Sequence, residues 1–293
     1  MLNSVACLYV GSIRSLNFYT MKRSGDDGII ENTDNHLLSL KGAMSIPILS
    51  TMGLVAAYMA VIHNFDILKY ILEGYFLFVA ILVLKKYLYP YSQMNAALKN
   101  WDNVTAVSLT SRYFQLKLTL LEVIVLGFSA YFVYIYVQTK FWVANNMISI
   151  AFTIYAIENW LVGNFKHIVI VFAGLIAYDT FFVFASEVMM TVAKEVDLPL
   201  KLLIPAWGGQ FAMLGLGDII IPGLLTSMCV RFDLITAFKL GKEKAIKDGV
   251  TDESKVAKYI QDEMVGVYFH QALIGYVLGL AITYMALSAF QTA

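Results

Sequence analysis

Long apolar runs separated by short polar connections set the pattern of this chain. A hydrocarbon core of roughly 30 Å needs about 20 mostly apolar residues as helix. Seven runs reach that scale, near Ala43–Ile62, Ile67–Leu84, Leu118–Val137, Trp142–Leu161, His167–Val188, Phe211–Val230 and Val265–Ala289. They lack the period-2 alternation of barrel strands, and in lipid a helix satisfies its own backbone without closing a barrel. The expected fold is all-α, a polytopic membrane helix bundle. The N-terminal stretch Met1–Ile13 is apolar, too short to span, and stops at Arg14. Without a basic n-region or a small-residue cleavage site it reads as a partial helix rather than a signal peptide. A polar loop follows to residue 42, with SGDDG at 24–28 as its most flexible part. The organisation expected is therefore 1–42 as partial first span and loop, 43–137 as N-terminal membrane helices, and 138–293 as a second group of membrane helices with a charged loop at 231–264.

Composition agrees with a bilayer address. Of 293 residues, 59% are hydrophobic and only 14% charged, against about a quarter charged in a soluble domain; mean hydropathy is +0.68. The 21 basic and 21 acidic residues cancel, so nothing electrostatic supports a nucleic-acid partner. Cys7 and Cys229 lie far apart in apolar stretches, which excludes a disulfide-stapled scaffold and leaves no metal-ligand spacing. No cofactor is implied.

The charges orient the bundle. Four, five, one and seven Lys/Arg residues lie in 14–42, 85–117, 162–166 and 231–264, 17 in all. The alternate connections hold 3, Lys140, Lys194 and Lys201, and Lys69 lies inside a span. The positive-inside rule makes the 17-charge side cytosolic. Asn103-Val104-Thr105 matches a glycosylation sequon but falls on that side and is expected to be unmodified. The 231–264 connection reads as a solvated cytosolic loop or short amphipathic helix.

An ionisable residue at membrane depth costs a few kcal/mol and is a functional candidate by default. Lys69 and Glu73 are four apart on one helix face and read as an internal ion pair or snorkelling residues. Glu122, Glu158, Glu187 and His270 lie near segment ends, where a structural role is expected. Asp179 and Asp218 differ. They lie about nine and seven residues from the same, non-cytosolic ends of consecutive spans, depths of about 13 and 11 Å at 1.5 Å per residue. Antiparallel neighbours would bring them opposite one another.

Their surroundings favour chemistry. Gly215 and Gly217, flanking Leu216 before Asp218, allow a backbone or substrate strand to come close. Pro222, four residues after Asp218, removes the helical donor to the Asp218 carbonyl, so a bend or unwinding is expected there. Tyr178 either offers a hydroxyl to the site or packs. Two carboxylates a few ångströms apart share a proton. That is the acid/base pair of an aspartic protease, which activates water with one member and protonates the scissile carbonyl oxygen with the other.

Tyr178-Asp179 within GLIAYDTFFVF, and Gly215-Leu216-Gly217-Asp218 within FAMLGLGDIIIPG, resemble the YD and GxGD motifs of intramembrane aspartyl proteases, the presenilin and signal peptide peptidase group. Similarity to the signal peptide peptidase branch extends to FWVANNMISIAF at 141–152, VMMTVAKEVDLPLKLLIP at 188–205 and VRFD at 230–233, covering most of the chain from about Asn35 to Ala293. The charge count gives the helix direction expected of that branch. The resemblance implies Asp179 and Asp218 as catalytic residues, with Tyr178, Gly215, Gly217 and Pro222 in support. It also implies a multi-pass endoplasmic-reticulum enzyme, N-terminus lumenal in the full-length topology, that cleaves type II membrane segments and remnant signal peptides. The implied partners are those segments and the lipid bilayer; a homo-oligomer is left open.

Two departures qualify it. The family has nine spans and a Pro-Ala-Leu motif at the start of the ninth, whereas this sequence stops at Gln291-Thr292-Ala293 where that motif would follow. LYVGSIRS resembles only the cytosolic end of the family's first span. Little proteolytic activity is therefore expected of the chain as written. The rival readings are a carrier relaying protons through the aspartates and a non-catalytic scaffold that binds transmembrane segments.

Overall fold

The structure, a computed structural model, describes residues 2–16, 37–38, 40–62, 66–94, 105–111, 114–162, 164–184, 199–205, 211–250 and 253–291. In chain order the helices are α1 (Leu2–Ser15), α2 (Leu40–Ile62), α3 (Asp66–Met94), α4 (Leu120–Thr139), α5 (Trp142–Asn159), α6 (Phe165–Asp179), α7 (Gly217–Lys247), α8 (Glu253–Asp262) and α9 (Val267–Gln291). Helix covers most of each of the seven predicted spans. Among the described residues four helical stretches, Leu120–Thr139, Phe165–Phe182, Gly217–Lys247 and Lys258–Ala286, are long and apolar enough to cross a membrane, and Met44–Met59 is a shorter apolar helix.

Short ladders accompany the helices: β1 (Leu37–Leu38) with β4 (Leu161–Val162), β2 (Thr105–Ser111) with β3 (Phe114–Thr119), and β5 (Lys201–Pro205) with β6 (Phe211–Gly215). β6 changes one expectation. The sixth predicted span began at Phe211, but Phe211–Gly215 is extended and antiparallel to Lys201–Pro205, and helix begins only at Gly217. A run of apolar residues too short to betray its period reads as helix or strand alike; cross-strand pairing settles it here. At its other end α7 runs on to Lys247, and amphipathic α8 follows after a turn, so much of the predicted charged loop is helical.

The chain divides into two compact units. The first comprises Met1–Thr51, Thr153–Thr180 and Gly217–Ala293. In it α1, α6, α8, α9 and β4 all pack against α7. Val162, Ile168 and Leu224 form a buried cluster with Phe172 and Leu225 beside it. Small residues let the backbones approach. Ile157 lies between Gly11 of α1 and Gly223 of α7, and Gly174 of α6 accepts Pro47 of α2. Ser12 and Thr226 share a buried hydrogen bond of 2.7 Å between α1 and α7.

The second unit comprises Met52–Phe152 and Phe181–Leu216. Ala80, Val83 and Leu84 of α3, Val133 and Tyr136 of α4, and Ala144, Ile148 and Ala151 of α5 form its core. Thr119 and Glu122 form a capping box at the start of α4, and Glu122 also accepts a 2.8 Å bond from Lys85 Nζ of α3. Lys140, left-handed at φ 48°, closes α4 with its N–H donating to Tyr136 O, and α5 starts two residues later.

Candidate active site

Asp179 is the last residue of α6. Thr180 caps the helix, its N–H donating to Ile176 O and Ala177 O and its Oγ1 to Ile176 O at 2.7 Å. From Thr180 to Phe184 the chain widens into a π-turn, a local distortion common at functional sites. Asp218 stands at the opposite kind of terminus, as the second residue of α7. The positive end of that helix dipole favours a carboxylate there. Helices α6 and α7 pack within the first unit. The Asp179 and Asp218 carboxylates are near enough for their charges to act on each other, and both residues are exposed.

The support residues are arranged for access. A Cβ at Gly217 would meet nothing within 4 Å, so the backbone beside Asp218 is open. Neither Gly217 nor Gly215 has a positive φ; what these glycines offer is lateral room, not a special turn. Gly215 ends β6 opposite Lys201. Tyr178 is half-buried and engaged with neighbours.

Two details of the sequence reading are corrected. Asp218 lies in the first turn of its helix, not seven residues along it, because the residues ahead of Leu216 are strand. Helix also continues through Pro222, so the interruption precedes Asp218 instead of following it. A proline in the sixth helical position cannot donate to the Asp218 carbonyl, yet helix runs on past it to Lys247.

The remaining intramembrane charges separate from this pair. Glu122 is held by its cap and by Lys85. Glu158 is buried and has interaction partners. His270 is exposed, with Nδ1 2.6 Å from Gly266 O in the first turn of α9. Glu73 is half-buried, whereas the Lys69 side chain, Glu187, the SGDDG loop and Asn103 of the sequon lie outside the described residues. Among those described, no group of three or more His, Cys, Asp or Glu could hold a metal ion.

Sequence reasoning overlooked three polar residues of α5. Asn146 acts as a substitute strand partner: its Nδ2 donates to Leu203 O at 2.7 Å and its Oδ1 accepts from Leu203 N at 2.8 Å. Asn145 Nδ2 donates to Lys201 O at 2.7 Å, and Ser149 Oγ to Pro199 O at 2.9 Å. These side chains tie down β5, whose partner β6 leads into Asp218. The signal was present as three polar residues within five positions of a largely apolar helix. Asp233 was overlooked too, and its carboxylate accepts from Tyr268 N at 3.2 Å and Phe269 N at 2.9 Å, capping α9.

The chain is similar to known proteins over most of its length. Residues 31–293 match the family model described as signal peptide peptidase. The chain is 26% identical over 310 residues to the signal peptide peptidase of Homo sapiens, covering 98% of this chain and 71% of that protein. It is 26% identical over 265 residues to a probable intramembrane protease of Schizosaccharomyces pombe, covering 90% of this chain and 75% of the relative. A probable intramembrane protease of Saccharomyces cerevisiae is 31% identical over 167 residues, 55% of this chain and 27% of the relative.

Proposed function

Because the chain belongs to the signal peptide peptidase family, a family of multi-pass intramembrane proteases, we propose that it is an aspartic endopeptidase whose catalytic pair is Asp179 and Asp218. The observation that carries this reading is the packing of α6 and α7 in one unit, with Asp179 at the last α-helical residue of the first and Asp218 in the first turn of the second, within reach of each other's charge. We take Asp218 as the ionised member, on the dipole at the start of α7 alone, and Asp179 as the protonated one.

Water bound between them gives a proton to the Asp218 carboxylate as its oxygen attacks the scissile carbonyl carbon. Asp179 passes its proton to the carbonyl oxygen, and a neutral tetrahedral diol forms. Collapse breaks the C–N bond. The nitrogen leaves with the proton held on Asp218, Asp179 regains one from the diol, and a carboxylic acid and an amine result. The open backbone at Gly217 leaves space for an extended substrate segment beside the pair.

The substrates proposed are transmembrane segments of type II proteins, including remnant signal peptides. The site proposed for this activity is the endoplasmic-reticulum membrane, with the basic connections cytosolic; the 17-to-3 distribution of Lys and Arg supports that orientation. The test is cleavage of a signal-peptide substrate by the purified full-length protein in detergent, alongside labelling by a hydroxyl-bearing aspartyl-protease transition-state analogue. Turnover and labelling that both vanish in Asp179→Ala and Asp218→Ala are expected. A protein that binds no analogue and cleaves nothing, but moves protons or retains transmembrane peptides, is a carrier or a scaffold instead.

A further inference from the structure

β5 divides its backbone between two neighbours of the second unit. On one edge Lys201–Pro205 pairs with Gly215–Phe211, and Leu200 O accepts from Leu216 N at 3.1 Å. On the other edge every second residue bonds to a side chain of α5. Ser149 Oγ donates to Pro199 O at 2.9 Å and to Lys201 O at 3.1 Å, Asn145 Nδ2 donates to Lys201 O at 2.7 Å, and Asn146 both donates to Leu203 O and accepts from Leu203 N. A spacing of two is what a neighbouring strand would use, so one face of α5 stands in for a third strand. A ribbon of two short strands is marginal by itself. Asn145, Asn146 and Ser149 are all buried, in a helix whose other core residues are Ala144, Ile148 and Ala151. Apolar side chains there would pack without any polar group to satisfy, whereas a polar network with its bonds made specifies one arrangement of its partners.

The arrangement specified is the entry of the chain into α7. β6 ends at Gly215, helix begins at Gly217, and Asp218 follows Leu216 by two residues, about 7 Å of chain at most. We propose that Asn146 is a positioning residue for Asp218: it holds β5 at Leu203, and through the β5–β6 register it fixes where the chain enters α7. This rests on Asp218 belonging to the proteolytic pair. Asn146 transfers no proton and acts only through the hairpin. Leu203 pairs with Met213 at the middle of β6, so a shift of β5 there is carried along β6 toward Leu216. A displacement of about 1 Å far from the chemistry can cost about a hundredfold in rate. Asn145 and Ser149 keep their bonds to β5 when Asn146 alone is changed, and they limit the shift to less than that.

The experiment compares the full-length protein with Asn146→Ala, Val133→Ala and Asp218→Ala, using a fluorogenic transmembrane peptide in detergent. Val133 is buried in the core of the same unit and touches none of these bonds, so its truncation measures what lost stability alone does to the rate. Asn146→Ala is expected to lower kcat about tenfold with KM within twofold. Val133→Ala is expected to lower the unfolding temperature at least as far and to keep kcat within twofold of the parent. A parent-like kcat in Asn146→Ala overturns the proposal whatever KM does. So does a loss of kcat in Val133→Ala as large as that in Asn146→Ala. If Asn146→Ala does not fold, Ser149→Ala takes its place, with an expected threefold loss of about the same character and a parent-like kcat again overturning the proposal. Asp218→Ala separates the two levels. If it still turns over, the proteolytic reading fails and the Asn146 role with it; if it is dead beside an unimpaired Asn146→Ala, only the Asn146 role falls.

Discussion

Gly223 lies so close to Ile157 that a Cβ added to it would sit 2.3 Å from the Ile157 Cδ1 and 2.6 Å from its Cγ1. Ile157 is fully buried and meets Gly11 on α1 as well, where an added Cβ would come within 3.0 Å of its own Cβ. It therefore has little room to withdraw. Gly223→Ala is expected to destabilise the protein by about 1–3 kcal/mol through overpacking. Ile157→Ala alone leaves a cavity costing about 2–5 kcal/mol, but the two changes relieve each other. The double variant should be at least about 1 kcal/mol more stable than the sum of the singles predicts, as read by thermal unfolding in detergent.

Gly174 has the corresponding place on α6, five residues before Asp179, as Gly223 is five residues after Asp218. A Cβ there would meet Pro47 Cγ at 2.5 Å, and a proline ring cannot fold away. Gly174→Ala should push α6 from α2 and misplace Asp179. The expected result is a stability loss of about 1–3 kcal/mol with a larger relative loss of transition-state-analogue labelling than Gly223→Ala shows.

Asn146 bonds both backbone groups of Leu203. Asn146→Ala leaves a half-buried N–H and C=O without that partner, at a cost of about 1 kcal/mol. Asn146→Asp keeps the acceptor but turns a second oxygen toward Leu203 O, and should be at least as harmful. Hydrogen exchange at Leu203 should quicken in both variants; unchanged protection would contradict the role assigned to this amide.

Asp233 caps α9 with both oxygens. Loss of such a cap costs about 0.5–2 kcal/mol, and at a helix N-terminus the negative charge adds to the bond. The expected order of unfolding temperature is parent, then Asp233→Asn, which keeps one acceptor, then Asp233→Ala. Exchange at Tyr268 and Phe269 should rise in the same order.

The elements of this protein were unequally legible. Apolar runs of bilayer length announce helices because lipid offers the backbone no other partner, and α2, α3, α4, α5, α6, α7 and α9 all fall where those runs lie. The hairpin escaped because Phe211–Gly215 is five residues with no decisive period. Its strand character depends on Lys201–Pro205 and on amides supplied from α5, partners more than fifty residues away in the chain for Asn145 and Asn146.

The sequence by itself determined that this chain enters a membrane as several helices and that two aspartates, one after a tyrosine and one after a glycine, stand in neighbouring spans, since hydrophobic run length and residue type are local properties. Only the tertiary structure decided that Asp179 is the last α-helical residue before a π-helical turn and that Asp218 stands in the first turn of another helix, just after a strand. Those relations follow from close packing of α1, α6 and α9 against α7, where glycines and small hydroxyls set how near two backbones can come, a distance no single stretch of sequence contains.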